Sequence, residues 1–280
     1  MRMSGFVLKK LAPPLLAETH AFIIMHEAFC VTLSSEFAEN SKFKTVYAVY
    51  TNTGICGIIT INASGFLLHC LPDVKQLEQD SEFCKSLEKA LGAEKIGTIM
   101  GEESGTKLLQ RLYPANPDCV WDYNLLEYSG VKLDFCLPAG LVLRKCAAGD
   151  EESLYPLQKQ YELVEVLPPG TEHNPARCRL GLRKALEKQH VFALFEGSRA
   201  VAKAGTNAIG TNFAQIGGVF TDIAFRNKGF ATFLTNYAAQ RLSENGKKVI
   251  LFVKKKNESA KHAYAKAGFA QFGTFRIVYY

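Results

Sequence analysis

Residues 217–232 read Gly-Gly-Val-Phe-Thr-Asp-Ile-Ala-Phe-Arg-Asn-Lys-Gly-Phe-Ala-Thr. The apolar run Phe213 to Phe220 predicts a strand, and after a short loop Arg226-x-x-Gly229-x-Ala231 opens an amphipathic helix. The first turn of a helix leaves backbone N–H groups without intrahelical partners, and the helix dipole makes that end attractive to anions. Gly229 and Ala231 put little or no side chain in the way of a phosphate. Arg226 and Lys228 add positive charge. The chemistry written into this corner is the cradling of a pyrophosphate.

The elements that must position the cradle follow in order. Phe230, Leu234, Ala238 and Leu242 recur at helical spacing and Asn245-Gly246 closes that helix. Val249 to Val253 predicts a short buried strand. Asn257 starts a second helix carrying Ala260, Tyr264 and Ala267, which Gly268-Phe269 ends. The six-residue motif alone is a weak signal, but strand, cradle, helix, strand, Asn, helix with Tyr and Gly-Phe in succession resemble the core of the GCN5-related N-acetyltransferase (GNAT) superfamily. The resemblance covers roughly the last half of the chain. It implies an acetyl-CoA-dependent N-acetyltransferase, in which a primary amine attacks the thioester directly in a ternary complex.

The same resemblance assigns roles. Arg226, Asn227, Lys228, Gly229, Phe230, Ala231 and Thr232 would grip the phosphates. Backbone of Val219, Phe220 and Thr221 would hold the pantetheine arm and the developing oxyanion, and the Gly217-Gly218 pair suits the distorted strand this needs. Asn257 would touch the arm as well as cap its helix, a cap contributing about 1 kcal/mol. Tyr264 matches the general acid that protonates the leaving thiolate, a reading favoured over a core tyrosine one turn from Ala260. The strand before the cradle offers Gln215, whose amide cannot take a proton, so Glu165 is the candidate base, ahead of Glu162 and Glu196. Surface solvation also explains a lone Glu at that place. A rival reading keeps the cradle and Asn257 but makes the protein a non-catalytic acyl-CoA-binding or sensing module.

Residues 1 to about 130 repeat the architecture without the sequence. Phe43 to Tyr50, Ile55 to Ile61 and Phe66 to Cys70 predict strands joined by Thr51-Asn52-Thr53-Gly54 and Asn62-Ala63-Ser64-Gly65. A helical stretch over Val74 to Leu91, a strand over Lys95 to Met100, a helix over Glu103 to Leu112 and a strand over Val120 to Tyr128 follow. At the cradle's position the front half has His69-Cys70-Leu71-Pro72-Asp73, with no Gly-x-Gly/Ala and an acid that would repel phosphate. The expected fold is therefore α/β (α+β): tandem GNAT-type domains, each a mixed, mostly antiparallel sheet flanked by helices. A degenerate domain without the cofactor motif would span 1–135 and the catalytic domain 136–280, joined within 128–143. Asp150 and Asn174 are the expected N-caps of two helices ahead of the second domain's strands.

Composition adds limits. With 280 residues and 48% apolar residues the chain can bury two cores, and no apolar run approaches the roughly 20 residues of a membrane span. Pro13-Pro14 interrupts the apolar stretch near the start, so no secretory segment is read and a cytoplasmic location is expected. The 8 cysteines lack a Cys-x-x-Cys pair and the 6 histidines lack ligand spacing, predicting buried thiols and no metal. A net charge of +6, with Lys247-Lys248 and Lys254-Lys255-Lys256 around one strand, suits a polyanionic ligand such as coenzyme A as well as it suits solvated strand ends. No nucleic-acid-reading motif is present. The expected partner is a small-molecule or peptide amine, and pairing into a homodimer is left open.

Overall fold

The computed structural model describes residues 5–11, 16–39, 43–167 and 170–280; Pro13-Pro14 lies outside them. Two compact units emerge. The first holds residues up to Leu125 together with Gly210–Asn212 and Gly273–Tyr280, and the second holds Leu126–Ile209 and Phe213–Phe272. The division falls at Leu125/Leu126, ahead of the position 135/136 expected from sequence, and the last eight residues go with the first unit.

Each unit runs through the same order of elements. In the first these are β1 (Val7–Lys10), α1 (Leu16–Met25), α2 (Val31–Ala38), β2 (Phe43–Thr51), β3 (Gly54–Asn62), β4 (Phe66–Cys70), α3 (Val74–Gln79), α4 (Ser81–Gly92), β5 (Thr98–Glu102), α5 (Glu103–Leu112) and β6 (Cys119–Tyr128). In the second they are β7 (Leu141–Cys146), α6 (Glu151–Tyr161), α7 (Pro175–Lys188), β8 (Val191–Glu196), β9 (Arg199–Ile209), β10 (Phe213–Thr221), α8 (Phe230–Glu244), β11 (Lys248–Lys254), α9 (Glu258–Lys266) and β12 (Phe269–Tyr279). The repeat extends further than the sequence showed, because β1, α1 and α2 carry no obvious period. The helix expected over 74–91 is two helices: Asp80 is extended between them, and its carboxylate accepts from Phe83 N at 3.0 Å as the cap of α4.

Strands β1 to β4 form an antiparallel meander, β4 lies parallel to β5, and β5 pairs antiparallel with Phe275–Tyr279 of β12. The period-2 alternation of strand side chains supplies two cores. Ala48, Ile58 and Leu68 join Phe22, Ile23 and Leu33 of α1 and α2. Tyr47, Val49, Ile59 and Ile61 join Phe83, Leu87, Leu108 and Leu109 of α4 and α5. The second unit repeats the scheme with β7 to β10 antiparallel and β10 parallel to β11. Leu194, Ala202 and Ile216 pack on α8 through Leu234 and Ala238, while Ala193 and Phe195 pack on Leu154, Leu157, Leu182 and Leu186 of α6 and α7. Fully burying each such leucine contributes about 1.5–3 kcal/mol.

Two local expectations change in detail. Asp150 stands at the start of α6 but does not cap it; its carboxylate takes both Arg144 guanidinium nitrogens (2.8 and 2.6 Å) and the Ala147 amide (2.9 Å). Asn174 does cap α7, accepting from Arg177 N at 3.0 Å. The segment read as a linker is bound to α8: Leu133 N donates to Asn236 Oδ1 at 3.2 Å and Phe135 stacks on Phe233 at 4.5 Å. All eight cysteines are free thiols. Among the described residues no helix is long and apolar enough to cross a membrane.

Candidate active site

Strand β10 creates the site by failing to stay regular. Its pairing with β9 shifts register between Gly217 and Phe220, a bulge at which Gly218 takes φ +60°. An alanine Cβ at Gly217 would lie 2.0 Å from Asn207 Nδ2, so a side chain there would have to displace that amide. On the other edge, the parallel ladder with β11 runs from Phe213 and Lys248 only to Ile216 and Leu251. Beyond Ile216 the two parallel strands part, and a cleft of about 530 Å³ lies against them.

Asp222 then turns the chain. Its carboxylate accepts from Ala224 N at 3.0 Å and from Arg199 at 2.6 Å, fixing a short 3-10 turn over Ile223–Phe225. Arg226 follows, its Nε donating to Thr221 O at 3.3 Å and its guanidinium lying over the Phe220 ring. Asn227 (φ 63°) and Gly229 (φ +78°) are both left-handed, and Gly229 is the N-cap of α8. Gly229 brings no side chain to cap that helix. The first-turn amides of α8 therefore face the cleft, together with the positive end of its dipole.

The cleft gathers Val219, Phe220, Thr221, Arg226, Asn227, Gly229, Phe230, Ala231, Thr232, Asn257, Tyr264 and Glu165, all singled out in the sequence. Lys228 is exposed beside them, its ammonium over the Phe225 ring, and does not line the cleft. Asn257 caps α9 by accepting from Ala260 N at 3.1 Å, and its Nδ2 donates to Glu165 Oε1 at 3.4 Å. Glu165 is held a second time by Lys254, whose Nζ lies 3.5 Å from Oε2 and donates to the Glu165 carbonyl at 2.7 Å. It sits on a π-helical turn, Glu162–Val166, that continues α6. Among the described residues lining the cleft it is the one carboxylate. Burial first, then Tyr161 and the Glu165 carboxylate, push the Tyr264 phenol well above the usual tyrosine range. Tyr264 is thus protonated at neutral pH.

One group in the cleft asks for a partner. Thr221 Oγ1 is buried and, among the described residues, without a hydrogen-bond partner. An uncapped helix start, parted parallel strands and an orphaned hydroxyl together fit an elongated ligand with an anionic end and amide groups along its arm. Sequence reasoning missed Phe135, Val164, Phe225, His262 and Lys266, which also line the cleft. Phe135 lay in an apparent linker, and no local pattern marks it. His262 and Lys266 stand at i and i+4 on α9 and were legible as one helix face.

Residues 153–269 match the family model of the acetyltransferase (GNAT) family. The second unit therefore carries the stretch that matches a GNAT domain, and over its whole length the chain shares the fold of solved GNAT structures. Solved structures share the fold throughout. An acetyltransferase of the GNAT family from Colwellia psychrerythraea is 13% identical with TM-score 0.62, covering 98% of this chain and 100% of that one. A tandem GNAT protein from the clavulanic acid biosynthesis pathway is 10% identical with TM-score 0.58, covering 98% and 97%. A GCN5-related N-acetyltransferase from Sphaerobacter thermophilus is 15% identical with TM-score 0.54, covering 98% and 94%. No curated protein matches the sequence.

Proposed function

We propose that the protein transfers an acetyl group from acetyl-CoA to a primary amine, by direct attack in a ternary complex, in the cleft of its second unit. The observation that carries this reading is the coincidence of two openings: strands β10 and β11 part after Ile216 and Leu251, and the uncapped start of α8 stands at the same corner. The amides of Gly229 to Thr232, with Arg226 and Asn227, bind the pyrophosphate, and Lys228 beside the cleft adds positive charge. Backbone of Val219, Phe220 and Thr221 pairs with the pantetheine arm, and the Thr221 hydroxyl gains the partner it lacks within the protein. The bulge at Gly218 turns backbone groups toward the thioester carbonyl as its oxygen gains charge.

Proton traffic falls to two side chains. Tyr264, protonated at neutral pH, gives its proton to the departing thiolate. Glu165, paired with Lys254, takes the proton from the amine. Asn257 holds both the end of α9 and the Glu165 carboxylate, so one residue sets the distance between acid and base. The first unit has no equivalent room: His69 packs so closely on Gly101 and Gly105 that a Cβ at either would lie 2.2 or 2.5 Å from its ring. We assign that unit a supporting role without cofactor.

Steady-state turnover of acetyl-CoA with a panel of primary amines tests the reading. Tyr264→Phe should lower kcat by about 10²- to 10⁴-fold while acetyl-CoA still binds. Binding without turnover of any amine, unchanged in Tyr264→Phe, would instead mark a sensor.

A further inference from the structure

Outside the cleft, on the α6 and α7 face of the second unit, three potential ligands from two segments converge. A carboxylate oxygen of Glu162, a ring nitrogen of His173 and the sulfur of Cys178 all lie within 4.8 Å of one another. Packing of Leu154 and Leu157 on Leu182 and Leu186 brings these segments together. Glu162 follows the last residue of α6, His173 precedes the Asn174 cap of α7, and Cys178 sits in the first turn of α7.

The cluster is built like a site. The His173 side chain is 7% exposed and its Nε2 points at Glu162 Oε2 from 3.4 Å. That nitrogen is buried and, among the described residues, makes no hydrogen bond. Cys178 is 2% exposed. Gln158 Nε2 donates to Glu162 Oε1 at 3.0 Å, which fixes the carboxylate and leaves Oε2 turned to the imidazole. The buried Lys203 beside them donates to Gly218 O at 2.7 Å, and its charge also acts on Glu162 and Cys178. Three electron-pair donors thus face one another in a largely buried place that stays open at Glu162, an arrangement that a cation between them would stabilise.

We infer that Glu162, His173 and Cys178 bind one borderline-soft divalent cation of the zinc type. Sulfur and imidazole nitrogen select zinc or cobalt over magnesium and calcium. Zinc bonds of about 2.0–2.3 Å set tetrahedral ligands roughly 3.3–3.8 Å apart, a spacing the Glu162–His173 pair already has. Three protein ligands leave the fourth position to water. Binding displaces the Cys178 thiol proton to solvent, so metal uptake releases one proton from that sulfur. Because Glu162 and Glu165 share one π-helical turn, the ion would also anchor the element that carries the acidic wall of the cleft.

The test is a titration of the chelator-stripped, full-length protein with Co²⁺, followed by absorption. The expected result is one equivalent bound per chain, with visible ligand-field bands of a four-coordinate ion and a near-ultraviolet thiolate-to-cobalt band that Zn²⁺ abolishes by displacement. Cys178→Ser should lose the thiolate band. Gln158→Ala, which keeps all three ligands, should bind about 10- to 100-fold more weakly with its circular dichroism unchanged. Absence of saturable uptake, or a thiolate band that persists in Cys178→Ser, would overturn the assignment and leave a His173–Glu162 contact only.

Discussion

At the scale of single residues, the chain separates side chains that act from side chains that only make room. Arg226, Asn257 and Tyr264 were legible because their types are tied to charge, capping and proton donation. The backbone of Val219 to Thr221 left almost no trace, since the role we propose for it falls to main-chain groups and only Gly217-Gly218 betrays the bulge. His69 was legible as a packed histidine, and its environment has a measurable consequence. Burial lowers its pKa from 6.5 to about 3, with Nε2 2.9 Å from Thr106 Oγ1. Between those values the unfolded chain binds a proton that the folded one refuses, so stability is lost as pH falls from 6.5 toward 3, by up to about 1.4 kcal/mol per pH unit. In chemical denaturation across that window, His69→Asn should lose stability with acid less steeply than the parent protein. Equal slopes would show that His69 titrates as an exposed histidine does.

At the scale of elements, helix and strand order in the second unit was readable from periodicity and punctuation: Asn174-Pro175, Asn245-Gly246 and Asn257 each stand where an element begins or ends. The first unit was less transparent. The interruption at Asp80 hides inside a continuous helical pattern, because a capping aspartate is also an ordinary surface residue of a helix. Glu165 lies in a π-helical turn, whose widened backbone has no sequence mark. Asn257 lets capping and ligand contact be separated at the level of α9. Asn257→Ala should cost about 1 kcal/mol in stability and also weaken acetyl-CoA binding. Asn257→Ser keeps an oxygen for the Ala260 amide but removes the Nδ2 donor, so it should recover the stability and not the affinity. Thermal unfolding paired with calorimetric titration distinguishes the two, and full recovery of affinity in Asn257→Ser would confine Asn257 to its cap.

At the scale of the molecule, the duplicated order of elements was visible but the ownership of the last strand was not. Strand β12 begins in the second unit and its final residues complete the first, where Val278 is fully buried and Arg276 binds Asp122 at 2.7 and 3.0 Å. A pairing partner some 170 residues away in sequence leaves no local pattern to read. Deleting residues 273–280 should therefore destabilise the first unit by at least about 3 kcal/mol, from the apolar burial of Ile277 and Val278 alone. Differential scanning calorimetry should show a separate, earlier transition, and an unchanged melting profile would mean the strand is dispensable. The central claim is that the second unit holds acetyl-CoA by its phosphates at the start of α8. Calorimetric titration with acetyl-CoA and with a pantetheine thioester lacking phosphates tests it most directly. The account predicts binding that falls sharply for the phosphate-free thioester and in Gly229→Asp, where a carboxylate would be forced into a left-handed position facing the anion site. Failure to bind acetyl-CoA, or equal affinity for both thioesters, would contradict it.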